Sequence, residues 1–535
     1  MTGAGPGRTR DRILLGLAVA LLVATPLVPA AVTAATPSAL TFVRIPVESV
    51  AVLLVLAVVP WRPVRVAVAG VFGALVVTAG LLAAIDRGYE SVLAVPFDPA
   101  DAGQLGAAFG VMADAIGTPA ATALVVLACL VAVGVAAGLA WAVLRTDAAM
   151  RGRRGGPAAL AVACTVWIAG ALLGSQAAAA ASVDTIGAAV SQASAAAADS
   201  AAWARQIAQD PYAAAPASSL LQALRGKDVV IAFVESYGRV AVQGSAFSAG
   251  VDDVLRRGTA ELSAEGYGAR SAWLTSPTFG GLSWLAHSTL QAGVWADTQT
   301  RYDQLIGTDR LTLSDAFRRA GWHTVSDVPS DTRPWPPGTS FYHYGTLLNA
   351  GNVGYRGPAF GYARIPDQYT WKYFADHELA GSHRPVTAEI DLVSSHAPWA
   401  PLPQLVPWSQ LGDGSVYDLQ PARSASAETV WQRPQTVRAF YGRSVEYSLG
   451  AMLSFLGNVN DPNLVVIVLG DHQPAAIVSG ADAGHDVPVS IIARDPAVLH
   501  RIDGWEWQPG LLPGTDAPTW PMDAFRNRFL AAFGQ

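Results

Sequence analysis

Cysteine is almost missing from this sequence: Cys129 and Cys164 are the only two in 535 residues, and both fall inside long apolar runs. The rest of the chain therefore has no disulfide to rely on and must be held by a core of ordinary size. It also has no thiolate to act as a nucleophile or to build a zinc-finger-type ligand set. Lysine is equally scarce, with Lys227 and Lys372 alone, and the net charge is −6. That balance excludes a basic nucleic-acid surface. No internal repeat is visible.

Apolar residues are in excess. They make up 51% of the chain, and a mean hydropathy of +0.31 is too high for an ordinary soluble protein. The excess lies before about residue 183, in five segments at 13–32, 45–60, 66–85, 120–144 and 157–180. Each is close to the roughly 20 residues that cross a bilayer, the second being on the short side. Together they predict a helical membrane domain. Arg8, Arg10, Arg12, Arg62, Arg65, Arg145, Arg151, Arg153 and Arg154 fall on one side of these segments, against only Arg44 and Arg87 on the other. The positive-inside rule then expects the N-terminus in the cytoplasm and everything after residue 183 outside. The first segment also reads as a signal peptide, with a basic start and small residues near Ala31 and Ala34, which leaves the later residues outside all the same. Glu48, near the outer end of the second segment, reads as a side chain that snorkels to the interface.

Alanine-rich residues from 183 favour a helix that Pro211 and Pro216 bring to an end. The expected organisation is a transmembrane domain at 1–182, a helical tether at 183–225 and an extracytoplasmic domain at 226–535. In the last of these, short apolar runs at 228–234, 322–328, 387–393, 464–469 and 487–493 alternate with longer segments. This pattern predicts a mostly parallel, helix-flanked sheet.

Polar residues collect at the ends of these strands. Glu235 follows the first, His396 follows the third, Asp471 and His472 follow the fourth, and His485 and Asp486 sit at the start of the fifth. In such sheets ligands bind beyond the carboxyl ends of the strands. Two carboxylates and an imidazole suit a divalent ion such as Zn²⁺ or Mn²⁺, which can hold an activated hydroxyl and stabilise developing charge. The hydroxyl is sought in "TSPTFGGLSWLAHSTLQAG", residues 275–293, where Ser283 follows Gly280 and Gly281. Thr278 is the close rival; Ser276, Ser288 and Thr289 are further candidates. All nine histidines lie after residue 286, and His287, His323, His343, His377, His383 and His500 read as structural or surface residues. The aromatic- and arginine-rich stretch 333–371 reads as a long irregular insertion, with Arg333, Trp335, Arg356 and Asp367 as pocket candidates.

The set "FVESYGR", glycine-flanked Ser283, "SSHAPW", "GDHQP" and "GHDVPV", in this order, resembles the sulfatase-like branch of the alkaline phosphatase superfamily. The nearest likeness is to its membrane-anchored lipoteichoic acid synthases, phosphoglycerol transferases and phosphoethanolamine transferases. The resemblance implies about five membrane helices ahead of an α/β catalytic domain. It implies Glu235, Asp471, His472 and Ser283 as ligands of one divalent metal, with Ser283 also the nucleophile. His396 and His485 become residues that bind the substrate phosphoryl group or a second ion. The implied activity is transfer of a phosphoglycerol or phosphoethanolamine type of headgroup, from phospholipid to a cell-envelope acceptor, through a serine-linked intermediate. Two departures stand out: serine where the family often has threonine, and Gln473 after the Asp-His pair. No C/S-x-P-x-R motif is present, which argues against formylglycine-dependent sulfate-ester hydrolysis. The competing readings are a hydrolase or phosphodiesterase of the same superfamily and a non-catalytic envelope sensor or scaffold; the absence of clear midmembrane charges weakens a transporter.

Overall fold

A computed structural model describes residues 6–34, 38–93, 96–97, 106, 109–110, 112–113, 117–152, 155–174, 178–480 and 482–534. Arg153, Arg154 and residues 175–177 of the fifth apolar segment lie outside the described residues. The chain divides into two compact units near Asp199 and Ser200.

The first unit is helical. All five apolar segments form helices: α1 (Pro6–Ala24), α2 (Val47–Val58), α3 (Arg62–Leu93), α4 (Thr118–Arg151) and α5 (Gly156–Leu172). Among the described residues, three stretches are long and apolar enough to cross a membrane, namely Thr9–Thr33, Arg62–Ser91 and Thr118–Arg151. The other two helices are shorter, with 12 and 17 residues. Pro46 and Pro60 explain the length of α2, since the residue before proline is driven out of the helical region. Ala18, Leu22, Leu56, Ala69, Phe72, Val76, Leu139 and Val143 make one packed seam among the helices.

Glu48 departs from its expected role. It is buried, and its Oε1 accepts the backbone N–H groups of Ser182 at 2.8 Å and Val183 at 3.0 Å. Those donors belong to the first turn of α6 (Ala181–Ala208), so Glu48 acts as a cap supplied from another helix rather than as a snorkelling side chain.

The second unit is built on a nine-stranded sheet. Its strands are β1 (Asp228–Val234), β2 (Gly268–Thr275), β3 (His323–Val328), β4 (Thr346–Asn349), β5 (Val386–Leu392), β6 (Leu464–Gly470), β7 (Asp486–Ala493), β8 (Gln508–Pro509) and β9 (Thr519–Pro521). The spatial order is β8-β2-β7-β6-β1-β5-β3-β4, with β9 also pairing β2. The run β6-β1-β5-β3-β4 is parallel throughout, while β7 lies antiparallel between β6 and β2. The central strand β1 is buried on both faces. Val230, Ala232 and Val234 join one core with α7 (Ser248–Ala264) and α10 (Pro434–Asn458); Val229, Ile231 and Phe233 join the other with α8 (Ser283–Ala292) and α11 (Ala524–Phe533).

All five strands expected from the sequence are present within a residue or so of their expected limits. Two longer strands were not expected. β2, "GARSAWLT", mixes arginine and serine with its apolar residues, and β4 lies within the stretch read as irregular. The antiparallel sense of β7 matters for the site, because it brings the start of β7 to the edge where the parallel strands end.

Candidate metal and nucleophile site

Glu235, Ser283, Asp471 and His472 meet at that edge. Ser283 Oγ lies 3.0 Å from Glu235 Oε2 and 3.2 Å from His472 Nε2. His472 Nε2 in turn lies 3.3 Å from Glu235 Oε1 and 3.4 Å from Asp471 Oδ2. The backbone fixes each partner. Asp471 Oδ1 accepts the N–H groups of Ser236 and of His472, both at 2.7 Å. His472 Nδ1 faces the Gln473 carbonyl at 2.8 Å, which assigns the proton to Nδ1 and leaves Nε2 as a donor of electrons. Gly470 is required here by close approach, since a Cβ on it would run into the Tyr237 carbonyl.

Strain is concentrated at the same place. Ser236 has φ 57° and Leu282 has φ 63°, left-handed values that non-glycine residues adopt at a cost of roughly 1–3 kcal/mol each. They are the neighbours of Glu235 and Ser283. Leu282 turns the chain so that Ser283 opens α8, where the unpaired N–H groups and the helix dipole favour an anion.

The electrostatics are those of a closely packed set of opposite charges. Burial pushes Asp471 up to about 7, with the Glu235 charge adding to the rise. Burial works against the charge on His472, but Asp471 and Glu235 outweigh it and raise the imidazole to about 9. Glu235, though buried, is held well below the usual carboxylate range by His396 and His472. Asp471 Oδ2 is fully buried and has no hydrogen-bond partner among the described residues. A carboxylate oxygen left so is costly unless a cation meets it. The ligand atoms of Glu235, Asp471 and His472 lie within 4.8 Å of one another, with the Ser283 hydroxyl 3.0 Å and 3.2 Å from two of these groups, and so fit a divalent ion.

Solved structures share this architecture. The integral membrane protein lipooligosaccharide phosphoethanolamine transferase A from Neisseria meningitidis is similar over 98% of this chain and 95% of its own, with a TM-score of 0.50 at 14% identity. The chain has the fold of that membrane protein. The lipoteichoic acid synthase LtaP from Listeria monocytogenes matches 59% of this chain and 73% of its own at 13% identity, with a TM-score of 0.37. The Streptococcus pyogenes phosphoglycerol transferase GacH matches 62% and 91% at 11% identity, with a TM-score of 0.35. No family model and no curated protein matches the chain. The fold implied by the sequence resemblance, apolar N-terminal helices ahead of an α/β domain, is thus the fold of the protein.

The remaining candidates fall into place around this centre. Thr278 directs its hydroxyl to the Gly281 carbonyl at 2.6 Å, and Ser276 directs its own to the Asp471 carbonyl at 2.5 Å. Ser288 and Thr289 bond to the carbonyls of Leu285 and Ala296. Ser283 alone of the five sets its hydroxyl between Glu235 and His472. His396 lies close enough to Glu235 to lower its carboxyl, and its ring stacks under Tyr362 with centroids 3.6 Å apart. His485 faces the Ser276 carbonyl at 3.2 Å and packs against Phe279. Neither joins a group of three metal-binding side chains among the described residues.

Of the insertion residues, Asp367 is not a pocket residue. It is fully buried and exchanges hydrogen bonds with Ser394, its Oδ1 accepting the Ser394 N–H at 2.9 Å, which braces the turn ahead of His396. Trp335 is half-buried and packs at a tilt against Tyr342 and Tyr344, with ring centroids 5.2 Å and 6.3 Å apart. The sequence reading took His287 as a structural or surface residue and passed over Glu389 and Asp391; the fold gathers all three into one group. Two acids separated by one residue in a strand expected to be buried were the available signal.

Proposed function

We propose that the protein is a membrane-bound, metal-dependent phosphotransferase that moves a phospho-headgroup from a phospholipid to a cell-envelope acceptor. The observation that carries the reading is Ser283 Oγ, poised between Glu235 and His472 at the start of α8. Glu235, Asp471, His472 and Ser283 would hold one Zn²⁺ or Mn²⁺. When bound, the ion lowers the cost of the serine alkoxide and of charge on the phosphoryl oxygens.

The residues of the chain supply positioning. Glu235 Oε2 accepts the hydrogen bond of the Ser283 hydroxyl and fixes its direction. Attack by Oγ on phosphorus forms an Oγ–P bond and breaks the P–O bond to the lipid alcohol, which leaves with the proton that Ser283 gave up. An acceptor hydroxyl then displaces Oγ, and the serine recovers a proton. The N–H groups at the start of α8 favour the phosphoryl oxygens throughout. His396 and His485 would bind the oxygens of the phosphoryl group. By the positive-inside reading, the chain crosses the membrane several times and this centre lies outside the cytoplasm, beside lipid headgroups.

The test uses full-length protein in vesicles containing headgroup-labelled phosphatidylglycerol and phosphatidylethanolamine. Label bound covalently to the wild type, absent from Ser283→Ala and chased onto an added acceptor, supports transfer. Free headgroup alone would make the protein a hydrolase. Full activity in Ser283→Ala would overturn Ser283 as the nucleophile, and no label bound or released by the wild type would leave the scaffold reading.

A further inference from the structure

We propose that His287, Glu389 and Asp391 form a second divalent-cation site, separate from the Glu235, Asp471 and His472 set. The inference rests on geometry and charge and does not require phosphotransfer.

The topology places these residues together. His287 lies one helical turn beyond Ser283 on α8, and residues four apart share a helix face. Glu389 and Asp391 alternate along β5 and so share one face of the sheet. They pair in register with Ile231 and Phe233 of β1, whose side chains lie on the α8 side. His287 Nδ1 is 3.1 Å from Glu389 Oε1 and 3.5 Å from Asp391 Oδ1. Ligands about 2.0–2.1 Å from a tetrahedral Zn²⁺ stand roughly 3.3–3.4 Å from each other, so the spacing suits a common ion.

Supporting contacts hold the donors in that arrangement. The His287 ring stacks on Phe233, with centroids 3.8 Å apart and planes within 12°. The second oxygen of Glu389 accepts from Gln291 Nε2 at 2.5 Å, and Gln291 Oε1 accepts the Ser314 N–H at 3.0 Å. Such outer contacts are what orient ligands around bound metals. Side-chain exposures of 12% for His287, 6% for Glu389 and 22% for Asp391 make Asp391 the open side of the cluster.

Charge gives the independent argument. Two carboxylates face one imidazole, and among the described residues no lysine or arginine forms an ion pair with either acid. A divalent ion balances both. One imidazole and two carboxylates favour Zn²⁺ or Mn²⁺ over Mg²⁺.

The experiment is elemental analysis of full-length detergent-solubilised protein, loaded with Zn²⁺ and desalted, with size exclusion and circular dichroism confirming the fold of each variant. The expected content is about two ions per wild-type chain, and about one in Glu389→Gln, in His287→Gln and in Asp471→Asn. The Glu389→Gln, Asp471→Asn double variant should hold none, and His396→Ala should keep both. Asp391→Asn, at the most exposed of the three positions, serves if the buried variants do not fold. A wild type that holds a single ion lost only in Asp471→Asn would overturn the proposal, as would two ions retained in folded Glu389→Gln or Asp391→Asn. Failure of the Ser283 reading would show instead as both ions retained in folded Asp471→Asn.

Discussion

At the scale of single residues, the site depends on atoms that have no alternative partner. Asp471 Oδ2 is the clearest, a buried oxygen with no hydrogen bond among the described residues and only the His472 imidazole nearby at 3.4 Å. Ser283→Ala removes the hydroxyl between Glu235 and His472 without disturbing its helix, and turnover should fall by about 10³-fold or more while thermal stability stays within a few degrees. Gly470→Ala pushes β6 away from the Tyr237 carbonyl and shifts Asp471 with it. Metal content measured after purification should therefore drop, although the substitution lies outside the ligand set. The strand-end acids and the Asp-His pair were legible because chemistry of that kind has few residue types to draw on. His287 was not, since one imidazole in a helix has the same appearance in sequence whether it packs or binds.

At the scale of elements, the last turn of α6 shows how a helix end is satisfied from afar. Arg310 donates to the carbonyls of Gln206 at 3.1 Å, Ile207 at 2.7 Å and Gln209 at 3.3 Å. Burial holds its guanidinium down to about 10, which leaves it charged at neutral pH. Arg310→Met should destabilise the second unit by about 2–3 kcal/mol, the worth of charge-assisted bonds to carbonyls left without partners. Denaturant unfolding of the detergent-solubilised protein, followed by tryptophan fluorescence, measures this. The alanine content and the two prolines made this helix and its end readable. Its anchoring by Arg310, more than 100 residues away, was not, because backbone carbonyls carry no sequence signature.

At the scale of the whole molecule, a buried ion pair closes the second unit on itself. Arg526 of α11 is fully buried and meets Asp210 through two nitrogens, at 2.9 Å and 3.0 Å. Burial alone would raise the Asp210 carboxyl, but its bonds to Arg526 and the arginine charge outweigh this and hold it below the usual range. Its stabilisation is thus complete above about pH 4, the unfolded value, and is lost as pH falls through the lower folded value. Asp210→Asn should cost about 3–5 kcal/mol at neutral pH by stranding Arg526, and should flatten the acid limb of a stability profile below pH 4. Chelation probes the other large charge cluster. Chelation should lower the melting temperature of wild type by more than that of Asp471→Asn, which has lost one of the two proposed sites, as read by differential scanning fluorimetry.

The sequence by itself determined the apolar N-terminal helices, the α/β character of the rest and the edge of the sheet where the chemistry gathers. Hydrophobic periodicity and length are local properties, and the residue after a buried strand has only one place to be. Tertiary structure decided what depends on packing between distant segments. It reversed β7, so that His485 reached the same edge as Asp471, and it turned Glu48 into a helix cap. It set Ser283 rather than Thr278 between Glu235 and His472, through the left-handed turn at Leu282. Above all it brought His287 against Glu389 and Asp391, because which face of α8 meets which face of β5 is fixed only when the sheet and its helices close around a common core.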